Sequence, residues 1–275
     1  MNAKNQNLLL RVVSALVLLP VVLFLLVKGG FFFACLIAFA AGVCTSEYYG
    51  ITQRPLSPLR WLGVGVAGAL PLLIQWKPAL ATAVAFWLVA GFFFAAWAYH
   101  LIRGPLAEAP TLAAHAVTGV LYGGVGLFAL AVVRNGDRGF EWVMCALIIT
   151  WMNDTAAYFA GRFLGRHKLY PAVSPNKTWE GFGGGMIGSV GGLFLHRALL
   201  FPALTPLDCV LLGVAGGIVG PIGDLCESML KRAYGAKDSG KILPGHGGLL
   251  DRIDALLFNA PLVLAYAHWL RHLLP

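Results

Sequence analysis

The stretch "KRAYGAKDSGKILPGHGGLLDRID" occupies residues 231–254, where one apolar run ends and another begins. Eight of its 24 residues are Lys, Arg or Asp, whereas the whole chain of 275 residues has only 32 Lys, Arg, Asp and Glu. Charge concentrated between two long apolar runs is typical of a loop that joins two membrane-spanning helices. The rest of the chain repeats this alternation of apolar runs and short polar loops.

The composition predicts a membrane protein. Hydrophobic residues make up 59% of the chain and charged residues 12%, whereas about a quarter of a soluble domain is charged. A membrane-spanning helix needs about 20 mostly apolar residues, and continuous runs without alternation favour helices over a membrane barrel. The fold class predicted is therefore all-α, a polytopic integral membrane protein with about nine transmembrane helices. The nine runs lie at about 8–27, 31–50, 60–76, 79–101, 112–133, 142–161, 181–200, 207–226 and 249–270.

The distribution of basic residues predicts the orientation. With the N-terminus in the cytoplasm, fourteen Lys and Arg fall in inside segments and six in outside segments, as the positive-inside rule requires. This places the stretch 231–254 on the cytoplasmic side, and a bacterial inner membrane is the expected location. The net charge of +8 follows from this topology and from a phosphate-binding site. No basic soluble segment is present, so nucleic-acid binding is not expected.

The chain divides into two regions of different character. Residues 1–135 carry few charges and are predicted to form a transmembrane scaffold of about five helices. Within them, Glu47 beside Tyr48 and Tyr49 is interpreted as an interfacial acid next to aromatic anchors. Residues 136–275 are predicted to form a catalytic transmembrane region with cytoplasmic loops at 162–180 and 228–250. The five scattered cysteines show no CxxC spacing, which predicts free thiols rather than a disulfide framework or a zinc site.

Acidic residues within or at the ends of apolar runs mark the second region. They are Asp154, Asp224, Glu227, Asp251 and Asp254. An ionisable group in a spanning segment costs several kcal/mol unless it is paired, hydrated or metal-bound, and it is therefore a functional hypothesis. Glycines repeat every fourth residue in the same region, at 184, 188 and 192 and at 213 and 217. This spacing predicts close helix packing.

The eighth run ends with a break that exposes polar groups. Pro221 has no N–H to donate to the carbonyl of Gly217, so that carbonyl is predicted to be freed. Asp224, Ser228 and Lys231 follow at i, i+4 and i+7 and share one helix face. Glu227 lies four residues before Lys231 and is predicted to pair with it, an ordinary contact on a helix.

The stretch that follows is suited to phosphates and a metal. Its lysines and arginines are cationic, and its glycines expose backbone N–H groups, as does the start of the ninth helix. Asp251 and Asp254 lie on one face of that helix, and together with Asp224 they form a set of hard oxygen ligands suited to Mg²⁺. Mg²⁺ completes its coordination with water and substrate phosphates. His246 is predicted to bind a phosphate or to orient the loop, with a general-base role as the alternative.

A second polar loop, "SPNKTWEG" at 174–181, precedes the seventh helix. A Ser–Pro turn, Lys177 and the Thr178 hydroxyl before a helix start make a candidate phosphate site. The alternative is an ordinary polar loop in which Thr178 caps the helix. The GxxxxGK[ST] spacing of a Walker A loop is absent. The two loops, on one side of the membrane, indicate phosphoryl or nucleotidyl transfer at the lipid surface.

The chain resembles the phosphatidate cytidylyltransferases, also called CDP-diacylglycerol synthases. "SMLKRAYGAKDSGKILPGHGGLLDRID" at 228–254 meets every fixed position of their signature: S-x-apolar-K-R, K-D, Leu-Pro, x-H-G-G and D-R-apolar-D. "SPNKTWEG" and "NDTAAYFAGR" at 153–162 resemble accompanying segments of the same family. The resemblance covers the C-terminal half, and residues 1–135 are only generically similar.

The resemblance implies the reaction of CTP with phosphatidate to give CDP-diacylglycerol and pyrophosphate. It implies Mg²⁺, with a second metal ion as part of a paired centre, and aspartates matching Asp224 and Asp251 as ligands, with Asp254 beside or between them. The predicted catalytic residues are Asp224, Lys231, Lys237 and Asp251. The predicted substrate-binding residues are Ser174, Lys177, Thr178, Ser228, Arg232, His246 and Arg252. CTP, phosphatidate and membrane lipid are the expected partners, and a homodimer is compatible with the sequence.

Two other functions compete with this one. A polytopic transporter would also carry charges and a proline break within spans, although the charges here cluster at one face and no inverted repeat is visible. A CTP-dependent polyprenol or lipid kinase would share the nucleotide and the lipid surface. A CDP-alcohol phosphotransferase is disfavoured because its dense aspartate motif is missing.

Overall fold

In the computed structural model, residues 16, 18–53, 57–243, 245 and 247–271 are described. Helices α1 to α6 are Leu18–Lys28, Gly30–Thr52, Leu59–Trp76, Pro78–Arg103, Ala109–Gly119 and Gly126–Asn135. Helices α7 to α10 are Gly139–Leu164, Trp179–Leu199, Pro206–Ala233 and Leu250–Ala265. A π-helical segment, Val120–Val125, joins α5 to α6, and another, Tyr266–Leu270, extends α10. Two strands, β1 at Lys168–Tyr170 and β2 at Ser174–Thr178, form an antiparallel hairpin between α7 and α8.

The helical architecture confirms the predicted fold class. Seven helical stretches among the described residues are long and apolar enough to cross a membrane. The first half of the predicted run at 8–27 lies almost entirely outside the described residues, and its second half forms a shorter apolar helix, α1. The run at 181–200 forms α8, but it is not among the seven, because its many glycines contribute little hydropathy. The seven stretches are Gly30–Thr52, Leu59–Trp76, Pro78–Arg103, Ala109–Asn135, Gly139–Leu164, Pro206–Ala233 and Leu250–Leu270.

The chain forms two compact units, and the boundaries do not follow chain order. Unit 1 contains Met1–Asn135 together with Tyr234–Arg252. Unit 2 contains Gly136–Ala233 together with Ile253–Pro275. Most of the charged stretch that opened the sequence analysis is therefore part of the same unit as the N-terminal helices.

Unit 1 is built on helices α2 to α6, which pack closely at small residues. Tyr49 is fully buried, and its hydroxyl donates a hydrogen bond of 2.6 Å to the carbonyl of Ala116. A side chain at Gly63 or Gly119 would overlap the Tyr49 ring or hydroxyl. Tyr48 is also buried. The interpretation of Tyr48 and Tyr49 as interfacial anchors is therefore wrong, because the α2 face that carries them packs inside the unit.

Unit 2 is held by α8 lying between α7 and α9, and the predicted glycine contacts are confirmed. An added Cβ at Gly188 would lie 2.7 Å from the Met152 carbonyl oxygen of α7. An added Cβ at Gly213 would lie 2.7 Å from Cα of Val190 in α8, so these helices approach at backbone distance. At the start of α9, the Asp208 carboxylate accepts hydrogen bonds from Thr205 N and from the hydroxyl of Tyr266. This contact ties α9 to the end of α10. The five cysteines all lie among the described residues, and none of them forms a disulfide.

Candidate functional site

A cavity of about 540 Å³ opens within unit 2 among α7, the hairpin, the start of α8 and α9. Its polar lining comes from residues that the sequence had placed in three separate segments. The residues that line it are Asn153, Asp154, Ala157, Tyr158, Gly161, Arg162, Leu169, Asn176, Lys177, Thr178, Gly181, Phe182, Pro221 and Asp224. The fold therefore brings the "NDTAAYFAGR" segment, the "SPNKTWEG" loop and the proline break of α9 to one place.

Two carboxylates line this cavity, and a third interacts with both of them. Asp154 of α7 and Asp224 of α9 line it, and their charges interact. Asp254 of α10 is half-buried and interacts with both of these charges. Like charges at short range repel strongly where water is scarce. A nearby cation or an added proton relieves such repulsion.

Lysines supply nearby cations. Lys177 Nζ lies 2.8 Å from Asp224 Oδ2, and Lys231 Nζ lies 2.6 Å from Oε2 of the buried Glu227. The pairing of Glu227 with Lys231 confirms the i, i+4 prediction. Asp154, Asp224 and Asp254, with Lys177, are called the cavity cluster. The charged residues that line the cavity itself are two acids, Asp154 and Asp224, and two bases, Arg162 and Lys177.

Pro221, inside helix α9, frees a backbone carbonyl as the sequence predicts. The carbonyl of Gly217, which Pro221 cannot engage, accepts a hydrogen bond of 3.2 Å from Asn153 Nδ2. The same amide group lies 3.2 Å from the Ser189 hydroxyl of α8. Asn153 is buried, so its hydrogen bonds join three helices at the floor of the cavity and hold Asp154, the next residue, in place.

The hairpin presents Lys177 to the cavity. Thr178 is the N-cap of α8, and its hydroxyl accepts a hydrogen bond from Gly181 N at 3.1 Å. Glu180 accepts hydrogen bonds from the backbone N–H groups of Arg166 and His167. The contact between Glu180 and the His167 ring, at 2.6 Å, together with the backbone donors, lowers the pKa of the Glu180 carboxyl to about 2. These bonds fix the loop before β1 to the start of α8, so Lys177 reaches Asp224 from a rigid support.

The end of α9 organises two of the other predicted residues. The Ser228 hydroxyl donates a hydrogen bond of 3.2 Å to Asp224 Oδ1, as the i, i+4 spacing predicts. Arg232 Nε donates to the carbonyl of Val173, in the turn of the hairpin, at 3.5 Å. Ser228 therefore orients the Asp224 carboxylate, and Arg232 stabilises the turn of the hairpin.

A second group of acidic residues lies in unit 1. Oδ2 of Asp251 accepts hydrogen bonds of 2.9 Å from Ser239 N, Ser239 Oγ and Gly248 N. Glu47 of α2 accepts hydrogen bonds from Leu249 N at 3.1 Å and from Leu250 N at 2.8 Å. Glu47, Ser239, Gly248 and Asp251 are called the Glu47 cluster below.

The Glu47 cluster corrects two expectations. The N–H groups at the start of α10 were expected to be free for an anion, but those of residues 248–250 already bond to Asp251 and Glu47. Glu47 was interpreted as an interfacial acid, whereas it is half-buried and bonds to a segment about 200 residues further along the chain. No short-range sequence pattern connects residues so far apart.

The remaining predicted residues stay predictions. Lys237 and Arg252 are exposed on unit 1, and Ser174 begins β2 without lining the cavity. His246 lies outside the described residues. The roles assigned to Asp224, Asp251 and Asp254 as metal ligands also stay predictions. Asp154, noted in the sequence only as an intramembrane acid, is added to the candidate site because it lines the same cavity as Asp224.

The donor set was tested against the magnesium that the resemblance implies. Within residues 16–271, apart from the few positions left undescribed, no group of three His, Cys, Asp or Glu side chains is arranged as a metal site. Mg²⁺, however, commonly takes only one or two protein carboxylates and fills its shell with water and phosphate oxygens. Asp224 and Asp154, two carboxylates that line one cavity and interact electrostatically, fit that requirement.

Comparisons with known proteins indicate the family of this chain. Residues 9–270 match the family model described as the cytidylyltransferase family. A phosphatidate cytidylyltransferase of Staphylococcus haemolyticus (strain JCSC1435) is 43% identical over 154 residues, which cover 55% of this chain and 57% of that relative. Phosphatidate cytidylyltransferases of Staphylococcus aureus (strain COL) and Staphylococcus epidermidis (strain ATCC 12228 / FDA PCI 1200) are 43% and 40% identical over the same shares. The chain thus spans little more than half the length of the curated relatives it matches.

Proposed function

Because the chain belongs to the cytidylyltransferase family, we propose that it is a nucleotidyltransferase that transfers the cytidylyl group of CTP to phosphatidate. The products are CDP-diacylglycerol and pyrophosphate, which serve phospholipid synthesis. The observation that carries the proposal is the cavity in which Asp154 and Asp224 face Lys177 at a break in α9. A polyanionic nucleotide needs this combination of a carboxylate pair for a metal and a cation for phosphate.

The reaction needs no general base. A phosphate oxygen of phosphatidate is already ionised near neutral pH, and it attacks the α-phosphorus of CTP. A new P–O bond forms there, while the bond from the α-phosphorus to the oxygen that bridges the α- and β-phosphates breaks. That oxygen leaves with pyrophosphate and carries the electron pair. The main obstacle is the repulsion between two polyanions, so positioning and charge compensation are the tasks of the protein.

The carboxylates of the site would hold a divalent cation. We assign Asp224 as the central ligand, with Asp154 beside it in the cavity and with Asp251 and Asp254 as predicted from the family signature. Ser228 orients the Asp224 carboxylate through its hydrogen bond. When bound, Mg²⁺ neutralises phosphate charge and stabilises the leaving pyrophosphate. A second metal ion belongs to the same proposal.

The cations of the site would hold phosphates. Lys177 is the best placed, because it lines the cavity and is supported by the capped start of α8. The proposal also gives phosphate-binding roles to Lys231, Arg232 and Lys237, with support from His246 and Arg252. Ser174 and Thr178 complete the set on the hairpin. Lys231 is bound to Glu227, so a role for Lys231 requires that it exchange this partner for a phosphate oxygen.

The proposed setting is a bacterial inner membrane with the N-terminus and the site facing the cytoplasm. The predicted topology supports it, because the loops at 162–180 and 228–250 fall on the side that carries most of the basic residues. CTP would enter from the cytoplasm and phosphatidate from the membrane. A homodimer is compatible with this arrangement, and nucleic acid is not among the proposed partners.

The experiment uses the purified protein in detergent micelles with phosphatidate, Mg²⁺ and CTP labelled on the α- or the γ-phosphate. Cytidylyl transfer moves the α-label into lipid and releases the γ-label as pyrophosphate. A lipid kinase would instead move the γ-label into lipid, and a transporter would leave both labels in CTP. Addition of a chelator is expected to stop the transfer, and excess Mg²⁺ to restore it. Transfer that is indifferent to the chelator would refute the metal assignment.

A further inference from the structure

An acid of the N-terminal region contacts the charged stretch of the C-terminal half. Glu47 lies near the end of α2, in the region that the sequence analysis interpreted as scaffold. Its two carboxylate oxygens accept one hydrogen bond each from Leu249 N and Leu250 N. The Ser239 hydroxyl lies 3.3 Å from Oε2 of the same carboxylate. One side chain therefore holds both the middle and the end of the segment Tyr234–Arg252.

The glycines of this segment provide independent support. A Cβ at Gly240 would overlap Oε1 of Glu47, and a Cβ at Gly248 would lie 2.7 Å from its Oε2. At Gly240 the Glu47 side chain occupies the space that a Cβ would fill, and at Gly248 the Ser239 hydroxyl and the Glu47 carboxylate share that space. The backbone of the segment is thus fitted around this acid.

The other end of the segment is held by a separate contact. The ring of His115, in α5, lies between two tyrosine hydroxyls: Nδ1 is 3.1 Å from Tyr48 Oη, and Nε2 contacts Tyr234 Oη. Tyr48 is the neighbour of Glu47 on α2. The segment is therefore anchored to unit 1 at its beginning, through Tyr234, and at its end, through Leu249 and Leu250.

A carboxylate is the only side chain of this size that satisfies the Glu47 site. Both of its oxygens accept, and two backbone N–H groups donate to them. A glutamine has one accepting oxygen and one donating NH₂ group. In either orientation it would set a donor against the N–H of Leu249 or of Leu250. An unsatisfied N–H at a helix start is costly, so the segment would move away.

We infer that Glu47 is a positioning residue that orders the segment Tyr234–Arg252 for nucleotide binding. The inference rests on the proposed function, because that segment carries the predicted phosphate ligands Lys237 and Arg252. Glu47 touches neither substrate nor metal in this role. It acts through the start of α10 and through Ser239, which also bonds to Asp251. Its loss therefore weakens the binding of CTP and also displaces Asp251, the predicted metal ligand of the same segment.

The test compares the wild-type protein with Glu47→Gln, Gly240→Ala and the control Glu108→Gln, all in the same detergent. Glu108 is an exposed acid of unit 1 that precedes α5. We expect Glu47→Gln to raise the KM for CTP roughly tenfold, as for the loss of a charged hydrogen-bonding group, and to lower kcat as well because Asp251 moves with the segment. Amide hydrogen exchange at Leu249 and Leu250 should become faster. Gly240→Ala, which keeps the acid but fills its space, should show the same changes, and Glu108→Gln should show none of them.

Unchanged exchange at Leu249 and Leu250 in both variants would overturn the inference. An equal fall in kcat and in the thermal midpoint, with the KM for CTP unchanged, would also overturn it, because that result marks general destabilisation. If no protein, wild type included, turns over CTP while Glu47→Gln still speeds the exchange, Glu47 holds the segment and only the proposed reaction fails. The exchange measurement therefore separates the two hypotheses.

Discussion

The two acidic clusters of this protein use carboxylates in opposite ways. In the cavity cluster of unit 2, Asp154, Asp224 and Asp254 interact with one another electrostatically, and Lys177 pairs with Asp224. In the Glu47 cluster of unit 1, the carboxylates of Glu47 and Asp251 accept hydrogen bonds from four backbone N–H groups and a hydroxyl. Each cluster includes an aspartate of the family signature at 228–254, Asp254 in one and Asp251 in the other. Glu47 bonds to the backbone of the same signature.

The difference distinguishes carboxylates that are suited to bind a metal from carboxylates that hold the backbone in place. Backbone N–H groups stabilise an ionised carboxylate and occupy its lone pairs, so a residue such as Glu47 orders the chain. Acids that repel one another are stabilised by a cation or by uptake of a proton. Two acids of the cavity cluster also line a cavity, so that cluster is suited to a metal and a phosphate. Asp251 stands between the two cases, because the signature predicts a metal ligand and the structure shows Oδ2 engaged with the loop.

Asp224→Asn should have the largest effect. The substitution keeps the shape of the side chain but removes the charge that pairs with Lys177 and that would bind the metal. We expect the rate of cytidylyl transfer to fall about 1,000-fold, equivalent to about 4 kcal/mol. The measurement is the release of pyrophosphate from CTP, with Glu108→Gln as the control. A loss of less than tenfold would contradict the central role of Asp224.

Asp251→Asn tests whether Asp251 is a metal ligand or only holds the loop. An asparagine oxygen can still accept hydrogen bonds from Ser239 and Gly248, so the loop should persist, whereas a metal ligand would lose its charge. We expect roughly 100-fold slower transfer with little change in amide exchange at Ser239 and Gly248. Near-normal turnover would show that Asp251 only holds the loop.

Asn153→Leu should weaken unit 2. The leucine cannot donate to the Gly217 carbonyl that Pro221 leaves free, nor bond to Ser189. We expect the free energy of unfolding in detergent to fall by about 1 kcal/mol, as for hydrogen bonds between membrane helices. An unchanged unfolding free energy would mean that water or another group satisfies this carbonyl.

Glu180 should give the smallest effect, confined to acid pH. Its carboxyl has a pKa of about 2 in the folded protein against an ordinary value of 4.5, chiefly because of the bond to His167. Its contribution is therefore complete above about pH 4.5 and is lost as the pH falls towards 2. Amide exchange at Arg166 and His167, corrected for the intrinsic rate, should become faster over that interval. Glu180→Gln should remove this pH dependence, and its persistence in the variant would assign it to another group.

Much of the fold and part of the site could be predicted from local sequence. The apolar runs predict the helices, because burial in lipid demands length and apolarity, and both are properties of a single segment. The Glu227–Lys231 pair and the contact of Ser228 with Asp224 follow from helical spacing. The free carbonyl of Gly217 follows from Pro221, although its partner Asn153, in another helix, does not. The hairpin at 168–178 has no strong strand pattern and was not predicted.

The sequence by itself determined that the chain is a membrane protein, which segments form helices, and which chemical groups are available. Composition, hydrophobic periodicity and residue type are local quantities. The sequence also suggests the family through the signature at 228–254. Only the tertiary structure decided which acids meet: Asp154 with Asp224 in the cavity, and Glu47 with the start of α10. The physical reason is that hydrogen bonds and ion pairs act over a few ångströms in space, whereas the residues they join lie 70 and 203 positions apart in the chain.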